Sequence, residues 1–335
     1  MTPSRPTLAD VAREAGVSLM TVSRVVNHKD GVGAETRAHI ESIIERLGYR
    51  PSGIARSLVT QRTGTIGLIV PDVSNPFFPD VIRGAEQVAF QQGYSLLLCN
   101  TEEDTRRESD LLQLLAEKWV DGILLCSSRQ QDSDLVAALA HYPAAVMVNR
   151  TLEKTSALAG SVCIDDVAGG RLLTEHLLAR GHRAIGFLSG PHNSFSGHKR
   201  LEGQRTALAA AALPWNSAWQ RPCAPSVEGG RQAAQQLLSE NPALTALVCY
   251  NDLVAVGALQ AAATMGRRVP GELAITGYDD IYLAALVTPA LTTCRVQRDE
   301  LGRWAAQVLL DALNESGRTL QTLLLAPELI VRQST

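Results

Sequence analysis

This chain of 335 residues lacks any run of 18 or more apolar residues, which excludes a helical membrane span. Its first residues, MTPSRPTLADVAREAG, carry no apolar signal core, so the protein is expected to stay in the cytoplasm. No HExxH, GxGxxG or P-loop pattern occurs, which removes the zinc-hydrolase, dinucleotide and phosphate-loop readings. Six cysteines, Cys99, Cys126, Cys163, Cys223, Cys249 and Cys294, lie far apart without CxxC spacing. Most sit in apolar runs, so buried reduced thiols are expected, with no disulfide frame, metal site or cofactor. Aromatics are scarce. There are only five Phe, and the adjacent pair Phe77-Phe78 therefore stands out.

Charge is modest in total and uneven along the chain. Residues 1–62 hold nine Lys and Arg against six Asp and Glu, a net of +3; the remainder holds 22 against 28, a net of −6. A basic head on an acidic body suits a small module that touches phosphate. The length suggests two or three domains.

Thr7 to Asn27, TLADVAREAGVSLMTVSRVVN, reads as two short helices joined by a tight turn. Thr7 can cap the first helix, whose Leu8, Val11, Ala12 and Ala15 recur at helical spacing. Gly16 supplies the left-handed residue that ends it. Ser18 can cap a second helix whose Val22, Val25 and Val26 point back to the first, leaving Leu19, Met20, Thr21 and Arg24 outside. This is a helix-turn-helix, and its second helix has the dimensions to enter a DNA major groove. A third helix is predicted from Ala34 to about Leu47, with Ile40, Ile43, Ile44 and Leu47 on one face and Gly48 at its end.

From Gly64 onward short apolar runs alternate with amphipathic helices. Thr65–Pro71, Ser95–Cys99, Gly122–Cys126, Ala145–Val148, Val162–Ile164, Ala184–Leu188, Ala246–Tyr250 and Leu273–Gly277 read as strands. This alternation implies an α/β body of doubly wound parallel sheets covered on both faces. Two sheets of about five or six strands fit the length, with a candidate break near Gly160.

Tyr49-Arg50-Pro51, Ala55-Arg56-Ser57-Leu58, Ser74-Asn75-Pro76-Phe77-Phe78, Gly181-His182-Arg183, Asn251-Asp252 and Gly277-Tyr278-Asp279-Asp280 follow the helix-turn-helix in that order. Together they resemble the lactose/galactose repressor family of bacterial transcription regulators along essentially the whole chain. The resemblance implies a helix-turn-helix domain over 1–50, a hinge helix and linker over 51–62, and a body over 63–335 like the periplasmic sugar-binding proteins. Three chain crossings would divide that body into one subdomain of about 63–160 and 293–324 and another of about 161–292 and 325–335. The crossings would lie near Gly160, Pro289–Thr293 and Leu324–Glu328, and the helix Arg298–Asn314 would return to the first subdomain.

The resemblance also implies site residues. Leu19, Met20 and Arg24 would face bases, where Arg pairs with guanine and apolar side chains meet the thymine methyl. Thr7, Ser18, Thr21, Ser23, Asn27, Tyr49 and Ala55 complete the DNA-binding set, and Leu58 would wedge into the minor groove at the operator centre. Asn75, Phe77, Phe78, Asn149, Arg150, Arg200, Asn251 and Asp279 would bind a small effector in the cleft between subdomains. The two Phe would supply a stacking face, and Arg200, Asn251 and Asp279 hydrogen bonds to hydroxyls.

This chain departs from the family in four places. Gly53 raises the entropic cost of ordering the hinge helix. Gly33-Ala34 replaces a common Ser-Pro and weakens the start of the third helix. Asn149-Arg150 stands where several ribose-binding relatives have Asp-Arg, and Val296 where many members have Gln.

The reading is a sequence-specific transcription regulator of the repressor type, not an enzyme. Its partners would be a palindromic operator, a sugar or sugar derivative, and a second copy of itself. The chain stops soon after its last strand, which favours a dimer. The alternatives are a sugar-binding protein without a DNA role and a regulator with a purine or other non-sugar effector.

Overall fold

The computed structural model describes residues 6–50, 62–118, 120–152, 159–314 and 322–335. It separates into two compact units, Met1–Thr63 and Gly64–Thr335.

The first unit is three helices, α1 (Leu8–Ala15), α2 (Leu19–Val26) and α3 (Ala34–Leu47). Thr7 and Asp10 cap α1 reciprocally: Thr7 Oγ1 accepts from the Asp10 amide at 3.3 Å, and Asp10 Oδ2 accepts from the Thr7 amide at 2.9 Å. Gly16, at φ 65°, ends α1 in the left-handed region. Ser18 Oγ accepts from the Thr21 amide at 3.1 Å and starts α2. Val11, Ala12, Val22, Val25, Ile40 and Ile43 form the buried core of this unit. The start of α3 at Gly33 carries no side-chain cap, as the missing Ser predicts. Residues 51–61, with Ala55 and Leu58, lie outside the described residues.

The second unit begins with a six-stranded sheet. Its strands are β1 (Thr65–Val70), β2 (Ser95–Asn100), β3 (Gly122–Cys126), β4 (Ala145–Val148), β5 (Ala159–Ile164) and β11 (Thr322–Leu325), in the order β11-β5-β4-β3-β1-β2, all parallel. The helices between them are α4 (Phe77–Gln91), α5 (Thr105–Glu117) and α6 (Asp132–Leu139), joined by α12 (Arg298–Asn314). A second sheet, order β7-β6-β8-β9, comprises β6 (Ile185–Leu188), β7 (Gln220–Arg221), β8 (Ala246–Cys249) and β9 (Ala274–Thr276). With it run α7 (Asp166–Ala179), α8 (Phe195–Ala210), α9 (Val227–Glu240), α10 (Asp252–Thr264) and α11 (Tyr282–Leu286). The inner strands are continuous apolar runs, buried along their length as parallel sheets require.

Two expectations change in detail. The second sheet has four strands, because β10 (Thr293–Arg295) and β12 (Glu328–Ile330) pair antiparallel with each other instead. The first boundary also falls later than the apolar spacing suggested. β5 pairs with β4, so the first sheet runs to Ile164 rather than stopping near Gly160. Bridges from Thr276 to Thr292 and from Asp279 to Arg295 hold the later segment beside the second sheet until Arg295. The strand count and the first boundary differ because a strand's sheet is chosen by its pairing partner, which periodicity does not encode.

Three helix pairs approach through reciprocal glycines. A Cβ on Gly84 would lie 2.1 Å from the Asp299 carbonyl, and one on Gly302 2.0 Å from the Val81 carbonyl, locking α4 to α12. Gly170 and Gly203 do the same for α7 and α8, and Gly230 and Gly257 for α9 and α10. Gly170→Ala would place a methyl 2.1 Å from the Arg200 carbonyl. Its expected cost is about 1–3 kcal/mol of stability, read from the urea midpoint, and a midpoint within error of wild type would reject the close-contact account.

Candidate functional site

The cleft is built from loops at the carboxyl ends of the strands, where doubly wound sheets place their ligands. Asn75, Phe77 and Phe78 follow β1, Glu103 follows β2, Ser127 and Arg129 follow β3, and Asn149 follows β4. From the other sheet come Pro225 after β7, Tyr250 and Asn251 after β8, Asp279 after β9, and Arg200 from α8. The structure thus brings together seven of the eight predicted effector residues.

Arg150 is the exception. It turns behind the wall, where its Nη1 donates to the Ser128 carbonyl at 2.8 Å and its Nη2 to Asp132 Oδ1 at 2.6 Å. Val296 is buried in the apolar core.

Phe77 and Phe78 meet edge to face, 5.0 Å between centroids. They are packed into the core as well as lining the cleft. Arg200 is buried and stacks 3.6 Å from the Tyr278 ring centroid. Its Nε donates to Asp166 Oδ1 at 2.8 Å, its Nη1 to the Tyr250 carbonyl, and its Nη2 lies 3.8 Å from Asp279 Oδ1. Burial opposes the Arg200 charge, but the carboxylates of Asp166 and Asp279 with the flanking tyrosines outweigh it and hold the guanidinium protonated.

Four lining residues, Glu103, Ser127, Asn149 and Asp279, hold non-glycine left-handed backbones, with φ of 61°, 48°, 59° and 102°. Such conformations cost of order 1–3 kcal/mol each and persist where the surroundings over-determine them. Asp252 is one such constraint beside Asp279: its carboxylate accepts from the Ile281 amide at 2.8 Å and from Thr293 Oγ1 at 2.7 Å. Asn149 Oδ1 is buried without a hydrogen-bond partner, an acceptor left over at the cleft wall.

Burial pushes the Asp279 carboxyl up to about 7, against the opposing pull of Arg200 and Arg298. Between its ordinary pKa near 3.8 and this raised value the native state binds the extra proton. Native stability therefore falls as pH rises through that window. Asp279→Asn removes this dependence. Urea unfolding at pH 5 and pH 8 should show wild type losing on the order of 2–4 kcal/mol relative to the variant at the higher pH. Parallel behaviour of the two proteins would mean that Asp279 titrates normally.

Glu103, Ser127, Arg129, Pro225 and Tyr250 were not singled out from sequence. Like Asn251 and Asp279, which the family resemblance supplied, Ser127 and Tyr250 are polar side chains at or just after the ends of strands read from the sequence. Glu103 depends on a left-handed loop that only the fold reveals.

Among the described residues a roomier groove lies between α5 and α6, beside Leu112, Ala116 and His141. None of the predicted site residues reaches it. Within it Gln113 pairs with Glu117 and Gln130 with Ser109.

On the first unit, Leu19 and Met20 are 52% and 67% exposed at the start of α2. Arg24 is exposed on the same helix and lies close to Gly31. Thr7 and Ser18 are committed to caps, and Ser18 Oγ also meets Thr21 Oγ1 at 2.9 Å. Asn27 Nδ2 donates to the Ser23 carbonyl at 2.8 Å and to Ser23 Oγ at 3.3 Å. Tyr49 packs, half-buried, against the core of the head.

A helix-turn-helix unit in one chain with a two-sheet, cleft-forming body defines a ligand-controlled DNA-binding regulator. The comparisons agree. Residues 7–52 match the bacterial regulatory proteins of the lacI family. Residues 63–329 match the periplasmic binding proteins and sugar binding domain of LacI family. The chain is 38% identical over 335 residues to the HTH-type transcriptional repressor PurR of Haemophilus influenzae (strain PittEE), covering 98% of each. It is 38% identical over 329 residues to the ribose operon repressor of Escherichia coli (strain K12), covering 98% of this chain and 99% of the relative. The lac repressor dimer bound to operator and the anti-inducer ONPF matches with a TM-score of 0.86 at 28% identity, over 99% of both chains.

This chain belongs to the lacI family of bacterial regulatory proteins. It is a transcriptional repressor with an effector-binding domain, not an enzyme. No helix among the described residues is long and apolar enough to cross a membrane.

Proposed function

We propose that this repressor binds a palindromic operator as a homodimer in the cytoplasm, and that a sugar or sugar derivative in the cleft controls its affinity. The observation that carries this reading is the convergence of Phe77, Phe78, Asn149, Arg200, Asn251 and Asp279 on one cleft of a body joined to a helix-turn-helix. Asn149 and Asp279 offer acceptors, Arg200 and Asn251 donors, and the phenyl rings an apolar face for a sugar ring. The match to a sugar-binding family and the likeness to a ribose operon repressor support the same class.

Leu19, Met20 and Arg24 are the residues for base contact. Thr7, Ser18, Thr21, Ser23, Asn27 and Tyr49 serve the phosphate side and the geometry of the helix pair. Ala55 and Leu58 carry the hinge role that the family resemblance implies. Exposed Leu97 and Leu98 on the edge strand β2, with exposed Phe90 nearby in sequence, suit burial against a second copy. Ligand would favour one orientation of the two lobes and so shift operator affinity by linkage.

Calorimetry of the full-length protein with D-ribose, D-glucose and guanine tests the effector class. Operator titration in the presence of the binder then tests linkage. Binding of a sugar that changes operator affinity supports the reading. Binding of guanine alone, through the same residues, rejects the sugar and keeps the cleft.

A further inference from the structure

Arg129 is the cleft residue with the most polar contacts across the two lobes. It leaves the loop after β3, is buried, and directs Nη1 to Ser194 Oγ at 3.3 Å and Nη2 to the Tyr250 hydroxyl at 3.5 Å. Its own charge is met from the first lobe, where Nε and Nη2 reach the two oxygens of Glu103 at 2.6 and 3.0 Å. A two-point pair of this kind leaves little positive charge for a ligand.

Three other arginines near the cleft also face acidic partners. Arg200 is matched by Asp166 and Asp279, Arg150 by Asp132, and Arg298 by Asp80. The helix starts beside the cleft, a common place for phosphate, carry caps on part of their amides. At α4, Asn75 Oδ1 accepts from the Phe77 amide at 3.1 Å and the Asn75 carbonyl accepts from the Phe78 amide, while Pro76 and Pro79 have no N–H to offer. At α8, Ser194 Oγ accepts from the Gly197 amide at 3.1 Å; at α10, Asn251 Oδ1 accepts from the Val254 amide at 2.9 Å. A dianionic phosphate would therefore have to displace a carboxylate from a buried guanidinium to find a counter-charge, and the charge-assisted pairs at Arg129 and Arg200 oppose that exchange. Hydroxyl groups need no such displacement.

We propose that the cleft selects an uncharged ligand over its phosphate ester, and that Glu103 sets this selectivity by neutralising Arg129. The proposal rests on the sugar reading above and sharpens it to a free, unphosphorylated sugar. Glu103 acts through Arg129 and is a positioning and charge-matching residue.

The test is calorimetry on the full-length protein with three pairs of probes: D-ribose and D-ribose 5-phosphate, D-glucose and D-glucose 6-phosphate, and guanine and GMP. Wild type should bind the uncharged member of its preferred pair at least about tenfold more tightly. Glu103→Gln frees the Arg129 charge and should move the affinity ratio toward the phosphorylated member by about tenfold or more. The new phosphate binding should weaken steeply with salt. A purely structural role for Glu103 would weaken both members equally.

Operator binding and an intact unfolding transition verify that the variant is folded, and Glu103→Ser replaces it if it is not. Wild type that binds a phosphate ester as tightly as its parent overturns the proposal. A folded variant with an unchanged ratio does so too. If a sugar binds with the wrong ratio, the proposal fails and the sugar reading stands. If only guanine or GMP binds, the sugar reading fails and the ratio within that pair decides the selectivity. If no probe binds a protein that still recognises operator, both readings fall.

Discussion

Replacing Arg200 by alanine is expected to lower stability by roughly 3–5 kcal/mol and to abolish effector binding. The guanidinium lies buried between Asp166 and Asp279 and stacks on Tyr278. Its removal leaves two buried carboxyls without their counter-charge, and Asp279, already raised to about 7 by burial, loses the cation that most holds it down. It also deletes the donor to the Tyr250 carbonyl, which fixes the strand exit carrying Asn251. Arg200→Lys separates charge from geometry: the ammonium retains one positive charge but not the planar fork. It should recover part of the stability and little of the effector affinity. Urea unfolding and calorimetry measure the two quantities on the same sample. An alanine variant with near-wild-type stability and ligand binding would remove Arg200 from the centre of the site.

The second large effect is loss of the head. Removing residues 1–62 should eliminate specific operator binding while leaving a body that unfolds cooperatively and binds the effector. Met1–Thr63 and Gly64–Thr335 are separate compact units. The core of the first, Val11, Ala12, Val22, Val25, Ile40 and Ile43, is drawn from its own three helices. The body keeps both sheets, every cleft residue named above and their helices. A shift assay on operator and calorimetry with the effector decide the matter. A truncated body that still shifts operator specifically, or that fails to fold, would show that the division near residue 62 is misplaced.

The local elements were readable because each rests on neighbours in the chain. Thr7, Gly16 and Ser18 announce their caps and turn within four residues, and Val11, Val22 and Ile40 lie on apolar faces visible as helical spacing. The buried strands TIGLIV and GILLC read as parallel-sheet interiors for the same reason. The family motifs around Asn251 and Asp279 pointed to those two residues, and the scarcity of Phe drew notice to the Phe77-Phe78 pair that the resemblance places in the cleft.

Only the tertiary structure decided what depends on partners remote in sequence. It assigned β5 to the first sheet, because pairing with β4 outweighs the apparent break at Gly160. It turned Arg150 away from the cleft, because Ser128 and Asp132 lie within reach of its guanidinium. It brought Glu103 to Arg129 across 26 positions and Arg129 to Tyr250 across 121. Periodicity and capping record interactions between residues a few positions apart. The charge balance of a cleft is set by side chains that meet only after two sheets have closed around it, and no local pattern in the chain carries that sum.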